Sequence, residues 1–316
     1  MSSAPPVLAP ALPRSARGLA VQDGRSGGGW FVRISVVVIV VLWLIPALGV
    51  LITSLRPEAL ADSTGWWTAL ANPFDSSQWT FENYSLALEA EGFGNAFLNS
   101  LAVSIPSTVI PITIAAFAAY AFSWMDFRGR EVLFVVVVGL LVVPLQMALI
   151  PILRLYVDGA QIGRLLLFPD LDLNGTFLGI WLAHAGFGLP LAVYLLRNYI
   201  GSLPSSLIES AKIDGADHFT IFWRLIVPLS VPALAAFAIF QFLWVWNDLL
   251  VAYVFLGGTR ENQVVTIALA NLVGSRGENW HLLTAAAFIS MALPLAVFFT
   301  LQRYFVRGLT AGAVKG

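Results

Sequence analysis

"PSSLIESAKIDGADHFTIFWRLIVPLSVP", Pro204 to Pro232, sets acids, a lysine, a histidine and serines between long apolar runs. Ser206-x-x-Glu209 has the spacing of a capping box, in which serine and glutamate satisfy free N–H groups of a first helical turn. Pro204, just upstream, suits a helix entry. The predicted helix runs to about Ile213 and stops at Gly215, which can take the left-handed conformation that closes a helix. Asp217 is placed to cap a second helix. There Phe219, Phe222, Trp223 and Ile226 recur at i, i+3, i+4 and i+7, one apolar stripe. Pro228 is expected to end that helix. One reading of this segment is a solvated loop whose stripe rests on a membrane interface. The other is a docking knob for a partner protein. Leu207, Ile208 and Ala211, an apolar patch beside Glu209 and Lys212, favour the knob.

The flanking runs settle the class. Of 316 residues 58% are hydrophobic and 11% charged, against about 25% charged in soluble domains. The mean hydropathy is +0.82, that of a membrane protein. A net charge of -1 leaves no basic patch for nucleic acid. The absence of cysteine excludes disulfides, cysteine-held clusters and thiol catalysis. His184, His218 and His281 show no metal-ligand spacing, and no paired acids or Ser/His set marks a catalytic site. The two lysines, Lys212 and Lys315, follow no glycine-rich loop, so the phosphate-binding loop is missing. If ATP drives this chain, another subunit hydrolyses it.

Six segments are apolar over the roughly 20 residues a spanning helix needs: Ile34–Ile52, Phe97–Ala121, Val132–Leu153, Phe177–Leu196, Pro232–Phe255 and Leu282–Leu301. The expected organisation is a disordered tail over 1–29, a six-helix transmembrane domain over 30–302 with the polar loop at 204–228, and a tail over 303–316. An Arg-bearing tail before the first run also fits a signal peptide, with Ala47 and Gly49 near a cleavage site. The length of the run and the spans that follow favour an uncleaved first helix. With the N-terminus inside, Arg14, Arg17, Arg25, Arg33, Arg128, Arg130, Arg197, Lys212, Arg224, Arg303, Arg307 and Lys315 are cytoplasmic. Arg56, Arg154, Arg164, Arg260 and Arg276 are then outside, twelve against five. The positive-inside rule puts both termini in the cytoplasm. Two outer loops, Asn72–Trp79 and Gly257–Trp280, offer places for an outside partner to dock.

Glu209-Ser210-Ala211, three residues, Gly215, nine residues, then Leu225-Ile226-Val227-Pro228 resembles the E-A-A…G…I-x-L-P pattern of inner-membrane permease subunits of ABC importers. Ser210, Leu225 and Val227 depart from it conservatively. "RYFVRGLTAGAVKG" (Arg303–Gly316) and "FLWVWNDLL" (Phe242–Leu250) look like the maltose-type carbohydrate permeases. The resemblance implies an all-α polytopic ABC importer permease fold in the plasma membrane. The implied function is one half of an ATP-driven importer of an oligosaccharide or glycoside, with no catalysis of its own. It implies a second homologous permease, two ATPase subunits that carry ATP and Mg, an extracytoplasmic sugar-binding protein and no cofactor in this chain. Glu209, Ser210, Ala211, Asp214, Gly215, Phe222 and Pro228 would couple to the ATPase, with Gly215 permitting close backbone approach. Gly308, Gly312 and Gly316 would lie extended between the ATPases. Asn271, Gly274 and Gly277, in a flexible loop, would meet the binding protein.

Polar residues within a span are functional candidates. Trp244, Asn247 and Asp248 form a group able to line a sugar pathway, by ring stacking and hydroxyl hydrogen bonds. Equally, the tryptophans fit an interfacial aromatic belt. Gln146, His184 and Asn99 read as interhelical hydrogen-bonding residues. An ion-coupled secondary transporter is the rival function, but such folds carry inverted repeats and midplane charges, and Asp248 is the only acid within a span.

Overall fold

The computed structural model describes residues 29–273 and 279–311, with side chains up to residue 302. The chain divides into two compact units, Met1–Ala47 and Leu48–Gly316. The first carries most of helix α1 (Gly29–Ser54), which exposes valine, isoleucine, leucine and tryptophan on nearly every side. A helix apolar all round is built for lipid or a partner helix.

The second unit is a bundle. Short helices α2 (Glu58–Ser63), α3 (Trp67–Ala71) and α4 (Glu82–Glu89) lead into the long α5 (Phe93–Trp124). Its 32 residues span about 48 Å at the usual rise, more than the hydrocarbon core. Helices α6 (Arg130–Gly139) and α7 (Leu145–Asp158) follow. The third expected span is not one rod: its two halves meet at 106°. Pro144 causes the break, because it pushes the preceding Val143 out of the helical region, to ψ 116. A small antiparallel hairpin, β1 (Ala160–Ile162) with β2 (Leu165–Phe168), is the only β-structure among the described residues. Helix α8 (Phe177–Gly201) then crosses back.

Next come α9 (Ser205–Ile213), α10 (His218–Ile221), α11 (Val227–Trp246), α12 (Leu250–Leu256), α13 (Val265–Leu272) and α14 (Trp280–Ala311). Five helices are long and apolar enough to cross a membrane, and the bent α6–α7 pair makes a sixth when its two halves are counted as one span. Two boundaries differ from the sequence reading. The fifth span stops at Trp246 rather than Phe255, since residues 247–249 break the helix before α12. The last helix runs through residue 302 to Ala311, so Gly308 is helical rather than extended.

The bundle centre is α5 against α8, flanked by α11 and α14. Ala115, Ala116 and Ala119 of α5 cluster with Ala192 and Val193 of α8; small side chains let backbones approach where lipid gives no hydrophobic drive. Gln241 on α11 is buried and donates to the Ser107 carbonyl of α5 at 3.2 Å. A Cβ on Gly188 of α8 would come 2.5 Å from Gln241 Oε1. Glycine there makes room for the amide that links three helices.

Candidate functional site

The segment between α8 and α11 is an elbow. Pro204, at φ -60 and ψ 129, is the residue before the first turn of α9, and no side chain caps that turn. The expected capping box is therefore absent: the helix starts one residue before Ser206, whose hydroxyl is thus inside the first turn. The other end behaves as expected. Gly215 sits at φ +81, Gly215 N–H donates to the Lys212 carbonyl at 3.0 Å, and Ala216 N–H to that of Ala211 at 3.0 Å. These crossed bonds form a Schellman closure. Asp217 caps α10, accepting from Thr220 N–H at 2.8 Å. Its hydrogen bonds to Thr220 hold its carboxyl below the usual range. A depressed pKa contributes stability above the ordinary carboxylate range that is lost only as pH falls through the folded value, so this cap is constant at neutral pH.

α10 does not end at Pro228. A wide π-type turn over Phe222–Ile226 carries it straight into α11. Pro228 lacks an N–H and its ring crowds the carbonyl four residues back; a widened turn absorbs both defects, and such bulges mark many functional sites. The π turn also splits the expected apolar stripe. Ile221, Phe222 and Ile226 are buried with Ile208 against α5 and α8, while Phe219 and Trp223 stay exposed. Phe222, expected at the partner contact, instead turns inward. It is 3% exposed and stacks on Phe117 at 4.5 Å. Tyr120 meets His218 Nδ1 at 2.9 Å, and Trp124 Nε1 donates to the Ile200 carbonyl at 3.2 Å.

The elbow is thus fixed from behind and open in front. Leu207, Glu209, Ser210, Lys212, Ile213, Asp214 and Gly215 are exposed, Ile213 at 86%. Glu209 and Lys212 have no ion-pair partner among the described residues. A Cβ on Gly215 would meet nothing within 4 Å. In this chain glycine is required by the positive φ alone.

At the opposite end, the break after α11 is organised by Asp248. Its carboxylate accepts from Ala252 N–H at 2.9 Å and Val251 N–H at 3.3 Å, closing the first turn of α12. It lies 3.7 Å from His184 Nε2, and the His184 ring meets Trp244 edge-on at 5.3 Å. Trp244 also lines a cavity of about 320 Å³ with Leu141, Ala148, Gly186, Phe187 and Pro190. Asn247 is exposed and donates to its own helix, to the Leu243 carbonyl at 2.7 Å. Truncating Asp248 to alanine strands two N–H groups and is expected to cost about 1–3 kcal/mol; Asp248→Asn keeps an acceptor and costs less. Thermal unfolding in detergent distinguishes them.

The loop after α12 is tied to the head of α5. Asn99 Nδ2 donates to the Glu261 carbonyl at 2.8 Å and the Gln263 carbonyl at 3.0 Å, and Arg260 pairs with Glu91 at 2.7 Å. Gln146 is exposed on α7 and makes no hydrogen bond among the described residues. Asn271 lies on α13, not in a flexible loop, and donates to Gln263 Oε1 at 3.2 Å. Gly274, Gly277, Gly312 and Gly316 lie outside the described residues.

An elbow backed by the core and open to a partner, on a bundle of membrane-length helices, is the geometry of a transport subunit driven from one end. The family described as "Binding-protein-dependent transport system inner membrane component" matches residues 111–311, a stretch that includes the elbow. The chain belongs to this family. As an inner-membrane permease component it is a non-catalytic transmembrane subunit of an ABC importer, a family that does not favour the ion-coupled alternative. It is 60% identical to the osmoprotective compounds uptake permease protein GgtD of Synechocystis, over 90% of this chain and 91% of that protein. It is 45% identical to the alpha-glucoside transport system permease protein AglG of Rhizobium meliloti, over 92% and 98%. A bacterial ABC transporter for import of the acidic polysaccharide alginate has a chain of the same fold, with TM-score 0.67, 20% identity, 94% of this permease and all of that chain covered.

Sequence reasoning missed Arg56. This guanidinium is buried, donates to the Thr64 carbonyl at 3.0 Å and to the Thr64 and Thr68 hydroxyls, and is held below its usual pKa by burial. Nothing in the local sequence separates it from a solvated arginine; Asn83, which donates to the Arg56 carbonyl at 2.7 Å, is 27 positions away.

Proposed function

We infer that this permease is half of the membrane pathway of an importer for neutral glycosides, paired with a second, homologous permease and moved by two copies of a separate ATPase. The observation that carries the reading is the elbow: a Schellman-closed helix whose outer face is open while its inner face is packed on α5 and α8. The named relatives, one for osmoprotective compounds and one for alpha-glucosides, support a small polyhydroxylated solute. In this reading Glu209, Ser210, Asp214 and Gly215 meet the ATPase, which binds ATP and Mg, while Ala211, half-buried against the inner core cluster, helps to seat α9. Phe222 and the π turn ahead of Pro228 transmit the motion. Both termini are cytoplasmic, Gly308, Gly312 and Gly316 reach the ATPases, and Asn271, Gly274 and Gly277 face an extracytoplasmic binding protein. Along the pathway, Trp244 offers a ring face and Asn247 a free amide oxygen, while Asp248 acts by holding the helix break.

ATP closure of the ATPase pair then swings α9, and with it the ends of α5, α8 and α11. The test is uptake of a labelled alpha-glucoside in a strain lacking this gene. Uptake is expected to vanish, to return on complementation, and to need the binding protein and ATP. Undiminished uptake in the deletion strain overturns the substrate class. A reporter active only in the cytoplasm, fused after Gly316, is expected to be active; an inactive fusion in an inserted protein overturns the orientation.

A further inference from the structure

We propose that Glu58, Asp62 and His281 form a binding site for a first-row divalent cation of the zinc class, pinning α2 to the head of α14. The site lies at the end of the bundle opposite the elbow. Glu58 and Asp62 are four residues apart on α2, so their carboxylates share one helix face. His281 is in the first turn of α14. One ligand atom from each residue falls within 4.8 Å of the others. At metal–ligand distances near 2.1 Å, ligand atoms of a tetrahedral site sit about 3.5 Å apart, so binding requires the two exposed carboxylates to draw in by roughly 1 Å from the observed spacing.

The imidazole points to a ligand independently of the acids. His281 is 4% exposed, yet its Nδ1 has no hydrogen-bond partner. Buried ring nitrogens are normally satisfied. The ring lines a cavity of about 480 Å³ together with Glu58, Ser76, Trp79, Thr80 and Asn83. Neither carboxylate has a basic partner among the described residues; Arg56 gives its two terminal nitrogens to Thr64 and Thr68, and its Nε is buried without a partner. Two unpaired acids beside an unpaired buried imidazole form a mixed oxygen and nitrogen set. Magnesium and calcium prefer all-oxygen sets, while imidazole selects zinc and its neighbours. Three protein ligands leave one position for water.

Acid ligands 219 and 223 residues before the histidine in sequence escape any spacing rule, which is why the sequence shows no metal site. The experiment uses the full-length chain with its co-purifying subunits, on a histidine-free tag, stripped with chelator and titrated calorimetrically with Zn²⁺ and Mg²⁺. One Zn²⁺ per chain beyond what the His281→Gln complex binds is expected at micromolar concentration, with Mg²⁺ adding nothing beyond that same baseline. Glu58→Gln and Asp62→Asn, both exposed and tolerable to the fold, are expected to weaken Zn²⁺ by about tenfold or more each. His281→Gln is expected to remove that one equivalent and His218→Gln to leave it unchanged. Absence of that equivalent, equal binding of Mg²⁺, or unchanged affinity in both carboxylate variants overturns the site.

Discussion

Gly215→Val is expected to reduce uptake by about tenfold or more while the permease still inserts at normal abundance. Gly215 holds φ +81, a region that costs a non-glycine residue about 1–2 kcal/mol and that β-branched residues scarcely adopt. A tenfold change needs only about 1.4 kcal/mol. Valine therefore opens the Schellman closure, releasing the bonds from Gly215 and Ala216 back to Lys212 and Ala211, and α9 loses its angle to α10. The core is spared, because the added side chain meets nothing within 4 Å. Asparagine separates two causes. It tolerates the left-handed conformation, so Gly215→Asn is expected to restore most uptake if the backbone angle is what matters. If asparagine is as damaging as valine, the ATPase backbone packs directly on this position. Normal uptake and normal ATPase co-purification in Gly215→Val would sink the elbow as the coupling element.

How much of this was visible in the sequence depends on the range of the interaction. Gly215 and Asp217 act through hydrogen bonds spanning three to five residues, and both were legible as a helix stop and a helix cap. The apolar runs gave the crossings, because a spanning helix announces itself by length and composition alone. Pro144 broke the third span and residues 247–249 the fifth, and a hydropathy reading averages over both. The resemblance placed Phe222 in the ATPase-coupling set, and helical spacing put it on one stripe with Phe219 and Trp223; instead it is buried while those two stay exposed. Ser206 illustrates the opposite error: a motif present in sequence that the start of the helix leaves unused. Asp248 was recognised as unusual, but its role in closing α12 emerges only once the break is seen, and His184, read as an interhelical hydrogen-bonding residue, lies 3.7 Å away with neither ring nitrogen hydrogen-bonded.

Phe222→Ala should separate docking from transmission. The side chain is buried between α5 and the π turn, stacked on Phe117 at 4.5 Å and 21° and tilted against Tyr120 at 5.5 Å. Emptying such a site costs about 3–5 kcal/mol, the largest single-residue loss expected in the loop. Leu207, Glu209 and Ile213 of α9 lie outside the core cluster that holds it, so they remain presented to the ATPase. The expected result is an ATPase that still co-purifies with the permease but no longer drives uptake, since α9 moves without carrying α5. Phe222→Leu fills most of the space and should recover part of the transport. Trp223→Ala, on the exposed side of the same turn, is expected to change melting temperature little. In a purified transporter, stimulation of ATP hydrolysis by the solute-loaded binding protein should collapse in Phe222→Ala and persist in Trp223→Ala. If Phe222→Ala instead loses the ATPase to the same degree as Gly215→Val, the buried face serves only to shape the docking surface, and force reaches the bundle by another route.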